Sequence, residues 1–217
     1  MVRLGSTLRR AGVIVLMLTT AGCQLASALT SKTVGPPAVP AEFQPLPEPM
    51  LVLAENYKSP GSPFVDTTQL ALFVTDELTT RQVVPVVDAS KLHDLRQKEG
   101  ANFRKLSIGA IGRAVGAQQV LYLDVTGASM DTIGAEMVRG TLSVSVKVVD
   151  AQSGAVRWPT GTTAGFPLTS QTPYMTISEN VNEIRVREAV ARSMAVAVVK
   201  LMRSYKPDEE PSTPSSN

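Results

Sequence analysis

Cys23 is the only cysteine among 217 residues, and this removes the covalent routes by which a small chain can do without a large core. One cysteine cannot form a disulfide within its own chain. With His93 as the only histidine, no cysteine/histidine cluster of zinc-ligand spacing exists either. The fold must therefore be held by apolar burial. The material is present, since 43% of residues are hydrophobic and 18% charged, the composition of a globular domain rather than of a disordered chain.

The position of the cysteine carries as much information as its number. Arg3, Arg9 and Arg10 flank an apolar run at 11–18, shorter than the roughly twenty residues needed to span a bilayer, so residues 1–22 read as an export signal. Thr20, Ala21, Gly22 and Cys23 resemble the lipobox of bacterial lipoproteins, in which small residues before the cysteine leave room for lipid and peptidase at the membrane surface. The resemblance implies lipid on Cys23. Two other readings stay open: ordinary secretory cleavage beside Ala26, Ser27 and Ala28, and retention of 11–29 as an uncut, weak anchor. Cutting before Cys23 removes three arginines and no acid, leaving 18 basic and 19 acidic residues and a net charge of −1. The basic excess then belongs to the signal and gives no reason to expect a nucleic-acid partner. Gln24 is not the aspartate that retains many lipoproteins in the inner membrane, so that sorting rule implies an outer-membrane anchor facing the periplasm.

Residues 23–49 contain Pro36, Pro37, Pro40, Pro45, Pro47 and Pro49, too closely spaced for a helix or a central strand, and read as a tether. Residues 206–217 are rich in proline, acid and Ser/Thr and read as a disordered tail. One domain, 50–205, lies between them.

Its pattern begins with an apolar strand at 50–54. Asp66 and Gln69 form a capping-box start to a helix that buries Leu70, Phe73, Val74 and Leu78 and ends near Arg81. A second strand at 83–87 contains Pro85 and is confined to an edge. A short helix or turn at 89–97 precedes a helix capped by Ser107 and stopped by Gly116. Next come a strand at 120–125, a turn region at 127–134 and an alternating strand with Leu142, Val144, Val146 and Val148 on one side. A turn at 150–154 leads to a strand ending at Trp158, and a helix at 178–205 buries Val186, Val190, Met194, Ala197, Val198 and Leu201. This order predicts an α/β fold: a single mixed sheet of about five strands with a parallel βαβ start, an antiparallel C-terminal meander and packed helices.

No catalytic residue, metal or cofactor is expected. Gly109, Gly112 and Gly116 lie within and after a helix, whereas a phosphate-binding loop follows a strand and opens one. Asp94 adjoins His93 in sequence and so does not face it on a helix. Asp124, Asp131, Glu136 and Asp150 lack metal-loop spacing. The nineteen residues 159–177 exceed an ordinary connection and carry Phe166, Leu168, Tyr174 and Met175, which form a partner surface on one reading and cover one edge of the domain's own core on the other.

Three segments carry a wider resemblance: the VGAQQVLY stretch at 115–122, the VVDAQSGAVRW hairpin at 148–158 and the capped helix at 66–78. They are similar to the superfamily containing the TolB amino-terminal domain, the curli-secretion lipoprotein and the lipoprotein activators of penicillin-binding proteins. The resemblance implies a module that binds other envelope proteins without catalysis. The expectation is a non-enzymatic envelope lipoprotein, attached to the membrane by lipid and binding an envelope or cell-wall assembly protein; the alternative is a small-ligand or glycan-binding lipoprotein. Oligomeric state is not legible.

Overall fold

The computed structural model describes residues 37–57, 64–134, 136–178 and 182–207. Cys23, the signal, most of the tether and the tail from 208 lie outside them. Within them run β1 (Met50–Glu55), α1 (Thr67–Thr80), α2 (Ala89–Glu99), a 3-10 turn (Gly100–Lys105), α3 (Ile108–Val115), β2 (Gln119–Ile133), β3 (Met137–Asp150), β4 (Val156–Trp158), β5 (Phe166–Gln171), β6 (Met175–Thr176) and α4 (Glu183–Lys200). They make the expected α/β fold around one mixed, six-stranded sheet, in which β1 pairs parallel to β2 and all other pairs are antiparallel.

Alternation along β2 and β3 divides the core between the sheet's two faces. Leu121, Leu123, Val144, Val146 and Val148 meet Leu70, Val74 and Leu78 of α1 and Val190, Met194 and Val198 of α4. Val120 and Tyr122 turn the other way, onto Leu92, Phe103, Ile111 and Val115. The α2–α3 layer thus covers β1 and only the first part of β2. β1 is buried on both faces, which explains its unbroken apolar run.

Local chemistry fixes the element ends as the sequence indicated. The Asp66 carboxylate accepts hydrogen bonds from Thr68 N (2.9 Å) and Gln69 N (3.0 Å), Ser107 caps α3 through Ala110 N, and Gly116 stops it at φ +82°.

Four expectations change. The 83–87 stretch is not a strand: it makes one parallel bridge, Met50 with Val86, and Pro85 has no N–H with which to extend it. The region 127–134 is not a turn region, because β2 stays paired with β3 as far as Ile133. The 159–177 connection contains β5 and β6, both paired with β3; Pro167 is tolerated because β5 pairs on one side only. α4 begins at Glu183, where the Asn182 side chain caps it through Arg185 N.

The end of the proline-rich segment packs on the sheet. Phe43 N donates to Leu201 O (2.9 Å) and its ring stacks on Trp158 at 5.8 Å. Pro49 O accepts from Gln118 N (2.9 Å) and Gln119 N (3.2 Å), while the buried Gln119 amide donates to Leu46 O (2.8 Å) and Glu48 O (3.0 Å). Residues 37–39 and 205–207 belong to a second unit, in which Val39 and Tyr205 form an antiparallel bridge.

Close approach holds α3 to the sheet. A Cβ on Gly112 would lie 2.6 Å from Val120 Cγ2 and 3.0 Å from Ala151 Cβ, and neither atom ends a flexible chain. Alanine gains about 1 kcal/mol of helix propensity, but overpacking costs about 1–3 kcal/mol. Gly112→Ala is therefore expected to lower the urea midpoint of unfolding; a raised midpoint would contradict this packing.

At the β3–β4 corner, Asp150 accepts from Ser153 N (2.7 Å), Gln152 N (2.9 Å) and Arg157 Nε (3.0 Å), and Arg157 also donates to Glu48 (2.8 Å). The Ser153 backbone N–H, together with the Arg157 guanidinium, holds the Asp150 carboxyl well below the usual carboxylate range. A carboxyl depressed in the folded state stabilises above its unfolded pKa, and that contribution is lost as pH falls toward its folded value. The stability gap between wild type and Asp150→Asn, measured by urea titration, should stay constant from neutral pH down to about pH 5 and shrink below about pH 4.

Candidate partner-binding site

β2 and β3 outrun the α2–α3 layer. Their register continues from Gln119 opposite Asp150 to Ile133 opposite Met137, interrupted by an irregularity between Val125 and Gly127, of the kind that bends a strand and re-aims the side chains beyond it. Past this point the pairs Ser129/Thr141, Asp131/Arg139 and Ile133/Met137 share one face of the ribbon. Asp131 and Arg139 form an ion pair at 3.3 Å, and the guanidinium lies 4.6 Å from the centre of the Tyr174 ring.

The opposite face is clamped by α4. A Cβ on Gly140 would meet Val186 Cγ1 at 3.0 Å and Val190 at 3.4 Å. Gly140 also exchanges two hydrogen bonds of 3.0 Å with Thr172, and Ser170 Oγ donates to Ser193 Oγ of α4 (2.7 Å). β6 lies along the tip, with Met175 opposite Val138 and Ile177 N donating to Glu136 O (2.7 Å). The result is a well-supported hairpin whose end displays Ile133 at 53% exposure beside Met137 at 38% on one face, while Ile177, two residues on from Met175, lies on the Val138 side. Apolar groups held together in water at the end of a fixed ribbon form a surface that gains free energy when covered.

The four side chains singled out in the sequence part company. Phe166 stacks on Trp158 at 5.2 Å, and it and Leu168 pack half-buried against the main core. Tyr174 and Met175, also half-buried, sit beside the hairpin tip. Cys23 lies outside the described residues. Ile133 and Met137 were not foreseen; the available signal was the alternation of Ala128, Ser129, Met130 and Asp131, which Gly127 and Gly134 disguised as a turn and which Ile133 itself breaks.

The remaining chemical candidates have local roles. His93 is exposed, with Nε2 2.8 Å from Gln97 Nε2 one turn along α2. Gly109 and Gly112 face the backbone and side chain of Ala151. Among the described residues no three His, Cys, Asp or Glu side chains are grouped to hold a metal ion, and no helix is long and apolar enough to cross a membrane. A cleft of about 180 Å³ is lined by Phe64, Leu142, Ile184, Arg187 and Val190, below the roughly 300–1,000 Å³ of a typical small-molecule site. A shallow groove of about 520 Å³ between α2 and α3 is lined by Lys91, Asp94, Lys98 and Arg113.

No family model matches the chain, and no curated protein matches it. Solved structures similar to it include lipoprotein GNA1162 from Neisseria meningitidis, at 16% identity and a TM-score of 0.45, covering 70% of this chain and 99% of that one. A PelC dodecamer from Paraburkholderia phytofirmans matches at 17% identity and a TM-score of 0.38, covering 79% of this chain and 94% of that one. The LpoB C-terminal domain from Escherichia coli matches at 20% identity and a TM-score of 0.36, covering 67% and 93%.

The clamp is testable apart from any partner. Branched methyls at position 140 would press on Val186 and Val190, so Gly140→Val should cost about 1–3 kcal/mol and raise amide hydrogen exchange through β6 and the hairpin end. Unchanged exchange at both would mean that α4 does not hold the hairpin.

Proposed function

We propose that this protein is a non-enzymatic lipoprotein of the bacterial envelope, made with a signal at 1–22 and held by lipid on Cys23 at the outer membrane. Its periplasmic α/β domain binds another envelope protein through the end of the β2–β3 hairpin. The observation that carries the reading is the exposed pair Ile133 and Met137, opposite one another in the β2–β3 register, on a ribbon fixed by α4, with Tyr174 and Met175 at its margin. Fully burying a large aliphatic side chain contributes about 1.5–3 kcal/mol, and Ile133 and Met137, each about half exposed, have part of that still to gain at the apolar centre of an interface. The sequence around Cys23 supports the anchor, and a site of this composition recognises a complementary apolar surface.

A photo-crosslinking residue at Met137, in cells making the full-length protein, should give an adduct of one discrete added mass, and the same residue at the exposed Thr80 of α1 should give none. Ile133→Asp should abolish the Met137 adduct without lowering the thermal midpoint. An unaltered adduct in Ile133→Asp, or equal adducts at both positions, would count against the hairpin. Intact mass of the mature protein is the separate check on the anchor, and requires a chain beginning at Cys23 with added acyl mass.

A further inference from the structure

The positive charge of the domain is unevenly placed. The layer from Asp88 to Gly116 contains Lys91, Arg96, Lys98, Arg104, Lys105 and Arg113 against Asp88, Asp94 and Glu99, a net +3, while the rest of the chain from Cys23 onward carries −4. Elsewhere in the domain Arg81, Arg139, Arg157, Arg185, Arg187 and Arg192 are ion-paired, Lys147 lies over the Tyr122 ring and Arg203 donates to Ser204 O. On the α2–α3 layer only Arg96 is ion-paired, with Glu55 at 2.9 Å. Lys91, Lys98, Arg104, Lys105 and Arg113 are exposed and make no ion pair among the described residues. We infer that this layer is a binding surface for the anionic phosphate headgroups of a lipid bilayer, which it holds against the face of the domain formed by α2, the 3-10 turn and α3.

Three observations select a bilayer over other anionic ligands. The cations are spread out: Lys91 and Lys98 lie two turns apart on α2, about 10 Å, and the groove between α2 and α3 is shallow. Lys91, Lys98 and Arg113 line that open groove with Asp94, an array that offers several separate anion contacts and does not enclose one phosphate. The layer also lacks an apolar centre: Leu92 is buried, Leu95, Leu106 and Ile108 are half-buried, and no large hydrophobic between 88 and 117 is exposed. A protein interface needs such a centre, whereas attraction to a charged bilayer does not.

The layer is also next to the point where the proline-rich segment enters the sheet. Pro49 O accepts from Gln118 N, Gln118 O accepts from Ala151 N (3.0 Å), and Ala151 O accepts from Arg113. Nearness to a bilayer rests on the lipid-anchor reading. Sixteen residues separate Cys23 from Pro40, a length that reaches at most about 60 Å even when fully extended, so an anchored domain stays near the bilayer, where short-ranged charge attraction can orient it.

The test uses the full lipidated protein carrying Gln97→Cys, labelled there with an environment-sensitive fluorophore and reconstituted into vesicles containing a headgroup-level quencher. Intact mass first shows whether Cys23 is acylated; if it is not, the anchor reading fails before the layer is tested. With an acylated chain, quenching should be weak in phosphatidylcholine vesicles, strong in vesicles rich in phosphatidylglycerol, and relieved by molar salt. Each cation at an anionic surface is worth about fivefold. Lys91→Gln, Lys98→Gln and Lys105→Gln together should therefore reduce the bilayer-facing population about a hundredfold, with the far-UV circular dichroism spectrum unchanged. Quenching independent of lipid charge, or unaffected by the triple substitution, would overturn the proposal, as would a fluorophore that stays unquenched on anionic vesicles, the result an acidic protein ligand would give.

Discussion

Every other element of the domain is placed by the antiparallel ladder between β2 and β3. With one cysteine in the sequence, no disulfide within the chain supplements burial, and burial here is organised by two long strands whose alternating side chains supply both faces of the core. β1 adds to one edge of the ladder, while β4, β5 and β6 share the other edge of β3, each pairing with a different stretch of it. A one-residue slip between β2 and β3 would turn both apolar sets outward, so their register is over-determined. The consequence is that the hairpin end cannot move without disturbing the core: Val138, Gly140 and Leu142 beneath it are all buried.

The start of the same ladder sets the boundary of the domain. Gln119 is fully buried, and its side-chain donors are used by Leu46 O and Glu48 O, so burying the amide requires the chain before β1 to lie across it. Asp150, opposite Gln119 in the register, ties the β3–β4 corner to Arg157, and Arg157 reaches back to Glu48. Prolines suit such a segment. They limit the entropy lost when it docks and need no ladder donor of their own, and Pro49 serves the sheet through its carbonyl alone.

What was legible in the sequence was what depends on short-range pattern. The Asp66 and Ser107 caps, the stop at Gly116 and the alternation at 142–148 need only local periodicity and side-chain chemistry. What was illegible depends on pairing between distant segments. Nothing local shows that Phe166 lies opposite Val146 or that Met175 lies opposite Val138, and Pro167 argues locally against a strand. The same limit explains the site. Phe166 and Leu168 look like surface residues only until β5 is laid against β3 and brings them to the Trp158 side of the core. Ile133 and Met137 look like turn residues until the ladder is seen to extend to them. The excess of positive charge at 88–116 is countable in the sequence, but only the fold shows that this stretch forms one side of the sheet.

The geometry of the ladder separates the two proposed contacts. β2 runs fifteen residues from Gln119 to Ile133, about 45–50 Å at the rise of a strand, and the α2–α3 layer contacts only its first part. The cations, on helices that cover the start of the ribbon, and the apolar tip at its far end are therefore separated along it. A protein held to a bilayer through the basic layer would keep the hairpin end clear of that layer, with Ile133, Met137 and Ile177 free of the headgroups that engage Lys91, Lys98 and Lys105. Orientation by charge costs little, because each headgroup contact is weak and salt-sensitive, yet it restricts the encounter of tip and partner to a plane. The two surfaces thus make different physical demands, many weak ionic contacts on a broad face and a few apolar contacts at a point, and the α2–α3 layer and the hairpin tip meet one demand each.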